Sequence, residues 1–221
     1  MNAVELVALA GSMSLLAGWR LYLCVFAAGL AMRFAWLPVP EHLDWLAVLQ
    51  NPWVIGAAFI GLVMEFLADK VAWVDSAWDT IHTAVRPVGG ALLSLAIVDP
   101  QDPALQITAF LLGGGLALAG HSAKAGTRAA VNLSPEPFSN VAVSSGEDVA
   151  TAGLLAAAIA SPELAIIVFL LLLIGTLILL VTVRRLLRRL RGAFAPRPVA
   201  NASIAQGRVE SPDLDDARGK P

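Results

Sequence analysis

Titratable side chains recur at helical spacing in an otherwise apolar chain. In "EFLADKVAWVDSAWDTIHTAVR", Glu65 and Asp69 lie four residues apart. Asp75, Asp79, His82 and Arg86 follow at steps of four, three and four. Residues three and four apart share a helix face, so each set lines one face if the segment is helical. Carboxylates and an imidazole so spaced could relay protons or hold a divalent cation. The set lacks the specificity of a HExxH-type motif, and an interfacial helix whose acids pair with Lys70 and Arg86 is the plainer alternative.

A second group opens with His121, Lys124 and Arg128, again at steps of three and four, in "ALAGHSAKAGTRAAVNLSPEPFSN". Such a basic face could receive an anionic solute or lipid head group, the arginine in a bidentate manner. Helix cannot persist through Pro135 and Pro137. Asn132, Ser134, Glu136, Ser139 and Asn140 would therefore sit on irregular backbone, which membrane tolerates only beside a hydrated cavity or inside protein. The alternative is a cytoplasmic loop carrying positive-inside residues.

Arg20 stands alone, some 17 residues into an apolar run. At 1.5 Å per residue that is about 25 Å along a helix, too deep to escape easily from either face. An ionised group in a span must pair or face water; the alternative is a tilted helix from which it snorkels. No nucleophile and base share a motif: Ser122 beside His121 cannot form a triad within one helical turn. No catalytic residue, cofactor or nucleic-acid partner is expected.

The elements that must position these residues are membrane helices. Of 221 residues, 57% are hydrophobic and 14% charged, where a soluble domain carries roughly 25%. Mean hydropathy is +0.73. The start has no basic n-region and carries Glu5 in its apolar run, so a cleaved signal peptide is not expected. Cys24, the only cysteine, excludes an internal disulfide. With about 20 apolar residues needed per span, the chain offers six, over 3–33, 53–72, 86–98, 104–131, 146–160 and 163–183. The third and fifth are short, and "DSAWDTIHTAV" could complete the third. The expected fold is an all-α integral membrane protein occupying residues 1–192, with 193–221 a disordered cytoplasmic tail.

By the positive-inside rule, both termini are expected in the cytoplasm. The last span runs into Arg184, Arg185, Arg188 and Arg189, which would meet anionic lipid, and of 15 basic residues only Arg20 and Arg33 resist this placement. Residues 36–50, with Trp36, Leu43, Trp45, Leu46 and Leu49, read as an amphipathic segment in the outer interface.

A shift of 102 residues aligns Gly11, Leu16, Ala17, Gly18, Ala27 and Ala28 with Gly113, Leu118, Ala119, Gly120, Ala129 and Ala130. Chance similarity of common membrane residues competes with a true repeat over 3–100 and 104–192. Three spans per copy would invert the second, an architecture of transporters with helices broken near the midplane. The breaks would fall at Gly18-Trp19-Arg20 and Gly120-His121-Ser122.

"HSAKAGTRAAVNLSPEPFSN" and "EFLADKVAWVDSAWDTIHTAVRP" resemble the bacterial membrane-protein family catalogued as domain of unknown function 4126, over roughly residues 5–185. The resemblance implies a small multi-span protein of a bacterial inner membrane and carries over no activity. From the residues, the expected function is a small secondary transporter or channel-like protein for an anionic solute or lipid phosphate. Arg20, His121, Lys124, Arg128, Asn132, Ser134 and Glu136 would bind substrate. Glu65, Asp69, Asp75, Asp79 and His82 would couple protons or cations, and a homodimer would complete so small a pathway. A structural or assembly protein, or a lipid-modifying enzyme using the acids at 65–79, are the alternatives.

Overall fold

The computed structural model describes residues 2–36, 44–98, 102–131 and 137–194; for 44–46, 72, 137–140 and 190–194 it describes the backbone only. Seven α-helices and one short 3-10 helix make up this part, and no strand occurs among the described residues. In order they are α1 (Ala3–Trp19), α2 (Leu21–Arg33), the 3-10 helix Asp44–Gln50, α3 (Pro52–Ala68), α4 (Ala72–Val98), α5 (Pro103–Val131), α6 (Pro137–Ala160) and α7 (Pro162–Phe194). The first compact unit ends at Leu186; the remainder of α7 belongs to a second and continues as plain helix.

α1 starts from a capping box in which the Asn2 side chain accepts from the Glu5 backbone and Glu5 returns the bond. Its residues Ala8–Gly18 are all buried, as expected of a helix apolar on every side. Hydroxyls fasten it laterally: Ser12 donates to the Ala165 carbonyl and Ser14 to that of Gly90. Small residues let backbones approach. A Cβ on Gly18 would collide with the Ala117 carbonyl, and one on Gly120 with that of Leu15.

α4, α5 and α7 are long and apolar enough to cross a membrane, whereas α1, α2 and α3 are shorter apolar helices. The distribution of side chains is that of a membrane protein. Arg20, Glu65, Asp69, Arg86, Lys124 and Arg128 are buried, while Trp53, Ile60, Trp73, Ile81, Leu111 and Ile178 lie exposed. In water such an apolar surface would be a liability; in lipid it is the solvent-facing side.

Several expectations change. Residues 3–33 form two helices, because the backbone leaves helical geometry at Arg20 (φ −142°, ψ 76°). The second expected break is absent: α5 runs unbroken through Gly120, whose missing side chain serves close packing on α1. Leu15 lies beside Gly120 and Trp19 beside Lys124, so α1 and α5 advance in the same sense where they touch. Copies related by inversion would run oppositely, and the described residues lend the inverted repeat no support. The third apolar stretch is completed by "DSAWDTIHTAV", as one of the two readings had it, into the 27-residue α4, which continues through Pro87. The fifth begins earlier, with Pro137 as the first residue of α6, where the missing N–H costs nothing. Ser139 and Asn140 are therefore helical. Asn132, Ser134, Glu136 and residues 195–221 of the expected tail lie outside the described residues.

Candidate functional site

The site is built around the interruption at Arg20. Its backbone N–H donates to Leu16 at 2.7 Å, and its carbonyl accepts from Cys24 at 3.2 Å. One residue thus closes α1 and opens α2. Its side chain, 1% exposed, ion-pairs with Asp69 and Asp148, and Nη2 donates to the Ser144 carbonyl at 3.3 Å. The snorkelling alternative is excluded.

α5 presents His121, Lys124 and Arg128 on one face, as their spacing requires. Lys124 Nζ donates to Asp69 Oδ2 at 2.9 Å and to the Trp19 carbonyl at 3.3 Å. Arg128 Nε donates to Asp75 Oδ2 at 3.1 Å, and its Nη2 to the Asp69 carbonyl. Trp19 ends α1 and Asp69 caps α3. Both cations therefore sit where helix-terminal carbonyls and the negative dipole end favour them. Both are fully buried, which overturns the reading of these residues as a positive-inside loop.

Arg86, on α4, joins the two groups. Its Nη2 donates to Glu65 Oε1 at 2.8 Å and its Nη1 to Asp79 Oδ1 at 2.9 Å. Nη1 also reaches His121 Nδ1 at 2.6 Å. A guanidinium only donates, so Nδ1 is the acceptor and the His121 proton resides on Nε2. That proton goes to Thr83 Oγ1 at 2.9 Å, and the Thr83 hydroxyl donates onward to the Asp79 carbonyl at 2.9 Å. His82 takes the opposite tautomer. Its Nδ1 faces the Trp78 carbonyl at 2.8 Å and must donate, leaving Nε2 to accept from the Tyr22 hydroxyl at 3.1 Å. The His82 ring stacks on Trp78, centroids 4.4 Å apart.

α6 supplies what the sequence reading missed. Lys70 donates to Ser144 Oγ at 2.7 Å and Asp148 Oδ2 at 3.0 Å, not to the neighbouring acids of α3. Glu147 lies 4.0 Å from Arg20. The acidic pair Glu147-Asp148 in an Ala-rich apolar stretch carried the same signal as Arg20, a charge too deep to be idle. Tyr22 and Thr83 had no such signal.

Among the described residues, Arg20, Lys70, Arg86, Lys124 and Arg128 thus meet Glu65, Asp69, Asp75, Asp79, Glu147 and Asp148. Each isolated ion would cost several kcal/mol to bury; mutual pairing offsets that cost. Beside the cluster lies a cavity of about 230 Å³ lined by Asp75, Ser76, Asp79, Thr80, Thr83, His121 and Arg128. It offers hydroxyls, two carboxylates and a guanidinium to one small polar guest.

No curated protein and no solved structure matches the chain. The two blocks that carry the family resemblance are the ones that supply α3–α4 and α5 to the cluster, and the match extends well beyond them. The chain belongs to the family described as domain of unknown function DUF4126, whose model matches residues 7–182.

Proposed function

We propose that the protein is a small membrane transporter or channel-like protein that moves an anionic solute or lipid phosphate in company with protons. The observation that carries this reading is the internal compensation of the basic face: Lys124 is held by Asp69 and Arg128 by Asp75, beside a polar cavity. An incoming anion must compete with those carboxylates for the cations. It succeeds when a carboxylate is protonated and lets go, so anion entry and proton uptake are one event. Arg20 joins the exchange through its own pair with Asp69. The cytoplasmic side is the one reached by Arg184, Arg185, Arg188 and Arg189, which lie exposed on α7 and suit anionic lipid there.

Full-length protein in liposomes with a trapped pH-sensitive dye provides the test, with inorganic phosphate and glycerol phosphate as probes. Phosphate-dependent proton movement that Arg128→Ala abolishes supports the reading. Liposomes indistinguishable from protein-free ones with both probes sink it. The completeness of the pairing also favours a second reading, an ionic scaffold that holds the helices together without transport. On that reading Arg128→Ala costs assembly and the wild type shows no flux.

A further inference from the structure

We infer that Glu147 is a proton-binding site, held in the cluster as a neutral carboxylic acid. Glu65, Asp69, Asp75, Asp79 and Asp148 each have a basic side chain within hydrogen-bonding distance. Glu147 does not. Its nearest cationic atom is Arg20 Nη2, at 4.0 Å, and that group already serves Ser144 and Asp148. Glu147 is 7% exposed, and its Oε2 has no hydrogen-bond partner among the described residues. A buried carboxylate whose only cation lies beyond hydrogen-bonding distance is costly to keep charged, and a proton removes the charge.

Charge balance agrees. Among the described residues, five cations against six carboxylates leave one negative charge in excess, and one proton cancels it. The groups facing Glu147 are Arg20 at the α1–α2 junction, Asp69 at the end of α3, and Lys124 and Arg128 on α5, with Asp148 next to it on α6. A calcium or magnesium ion would need six or more oxygens. Among the described residues no three His, Cys, Asp or Glu side chains converge as ligands would, whereas a proton needs only one oxygen. On ionising, Glu147 competes with Asp69 and Asp148 for Arg20, the residue at which α1 gives way to α2. This assignment adds a proton donor beside the Asp69 pair that the transport reading protonates, and rests on that reading only for what the proton drives.

Infrared difference spectroscopy of the full-length protein in lipid, titrated from neutral to alkaline pH, tests it. The expected result is the carbonyl stretch of a protonated carboxylic acid at neutral pH, lost on raising the pH. Glu147→Gln should lack that band and Glu65→Gln should keep it. Should the glutamine variant fail to fold, Glu147→Asp shifts the band instead. A wild type without the band, or a band unchanged in either Glu147 variant, overturns the site. The band present without any proton flux in liposomes supports the site and sinks the transport reading alone.

Discussion

Arg86 donates to Nδ1 of His121 across 2.6 Å, and that one bond fixes where the imidazole proton sits. His82, bound to the Trp78 carbonyl through Nδ1, is fixed the other way. Ring ¹⁵N spectra of labelled protein should therefore show His121 protonated on Nε2 and His82 on Nδ1. Two histidines in the same tautomer would refute the hydrogen-bond directions assigned here.

Arg86 is shared by Glu65 and Asp79, so its removal strands two buried carboxylates. Breaking a buried pair from one side costs about 3–5 kcal/mol, whereas replacing all partners with apolar groups of similar volume is close to neutral. Arg86→Met should lower unfolding free energy by that amount in a denaturant titration. The triple change with Glu65→Leu and Asp79→Leu should recover most of it. A triple variant no more stable than Arg86→Met would show that the arginine acts through something other than these acids.

Gly18 packs backbone to backbone against α5, while Gly115 has no atom within 4 Å of where its Cβ would lie. Gly18→Ala should cost about 1–3 kcal/mol through overpacking. Gly115→Ala should be neutral, or stabilise by up to about 1 kcal/mol through helix propensity. Thermal melting of the two variants in one detergent distinguishes them, and equal shifts would contradict the close α1–α5 contact.

Trp53 and Trp73 are 86% and 76% exposed, whereas Trp78 is half-buried behind His82 and Tyr22. In single-tryptophan variants reconstituted with brominated lipid, Trp53 and Trp73 should be quenched strongly and Trp78 weakly. Strong quenching of Trp78 alone would reverse the assignment of the lipid-facing side.

Much of the site was legible as faces and little of it as contacts. Spacing alone put Asp79 and Arg86 on one stripe, and His121, Lys124 and Arg128 on another. Periodicity reports which residues share a face but not which faces meet, so the pairs Arg128–Asp75 and Lys124–Asp69, 53 and 55 residues apart, were out of reach. The depth of Arg20 did foretell its burial. Gly120 misled because glycine in an apolar segment serves two ends, breaking a helix or admitting a neighbour, and composition does not separate them. The completion of the third stretch by "DSAWDTIHTAV" was legible, and helix on both sides of Pro87 is held by α5 and α1, as Thr83–His121 and Gly90–Ser14 show. Glu147 is the second residue of the short stretch 146–160, a position that does not by itself reveal its burial.

The interruption at Arg20 has a consequence for how the protein is made. The chain is synthesised from its N-terminus, and Arg20 emerges well before Asp69 and more than a hundred residues before Asp148. At roughly 5–20 residues per second, the nascent arginine waits several seconds for its first counter-ion and longer for its second. During that interval the α1–α2 segment cannot settle in hydrocarbon with its charge satisfied. It must remain in the insertion machinery or borrow a phosphate from the surrounding lipid. A chain truncated before Asp148 would hold Arg20 against Asp69 alone, with the second of its two strong ion pairs missing.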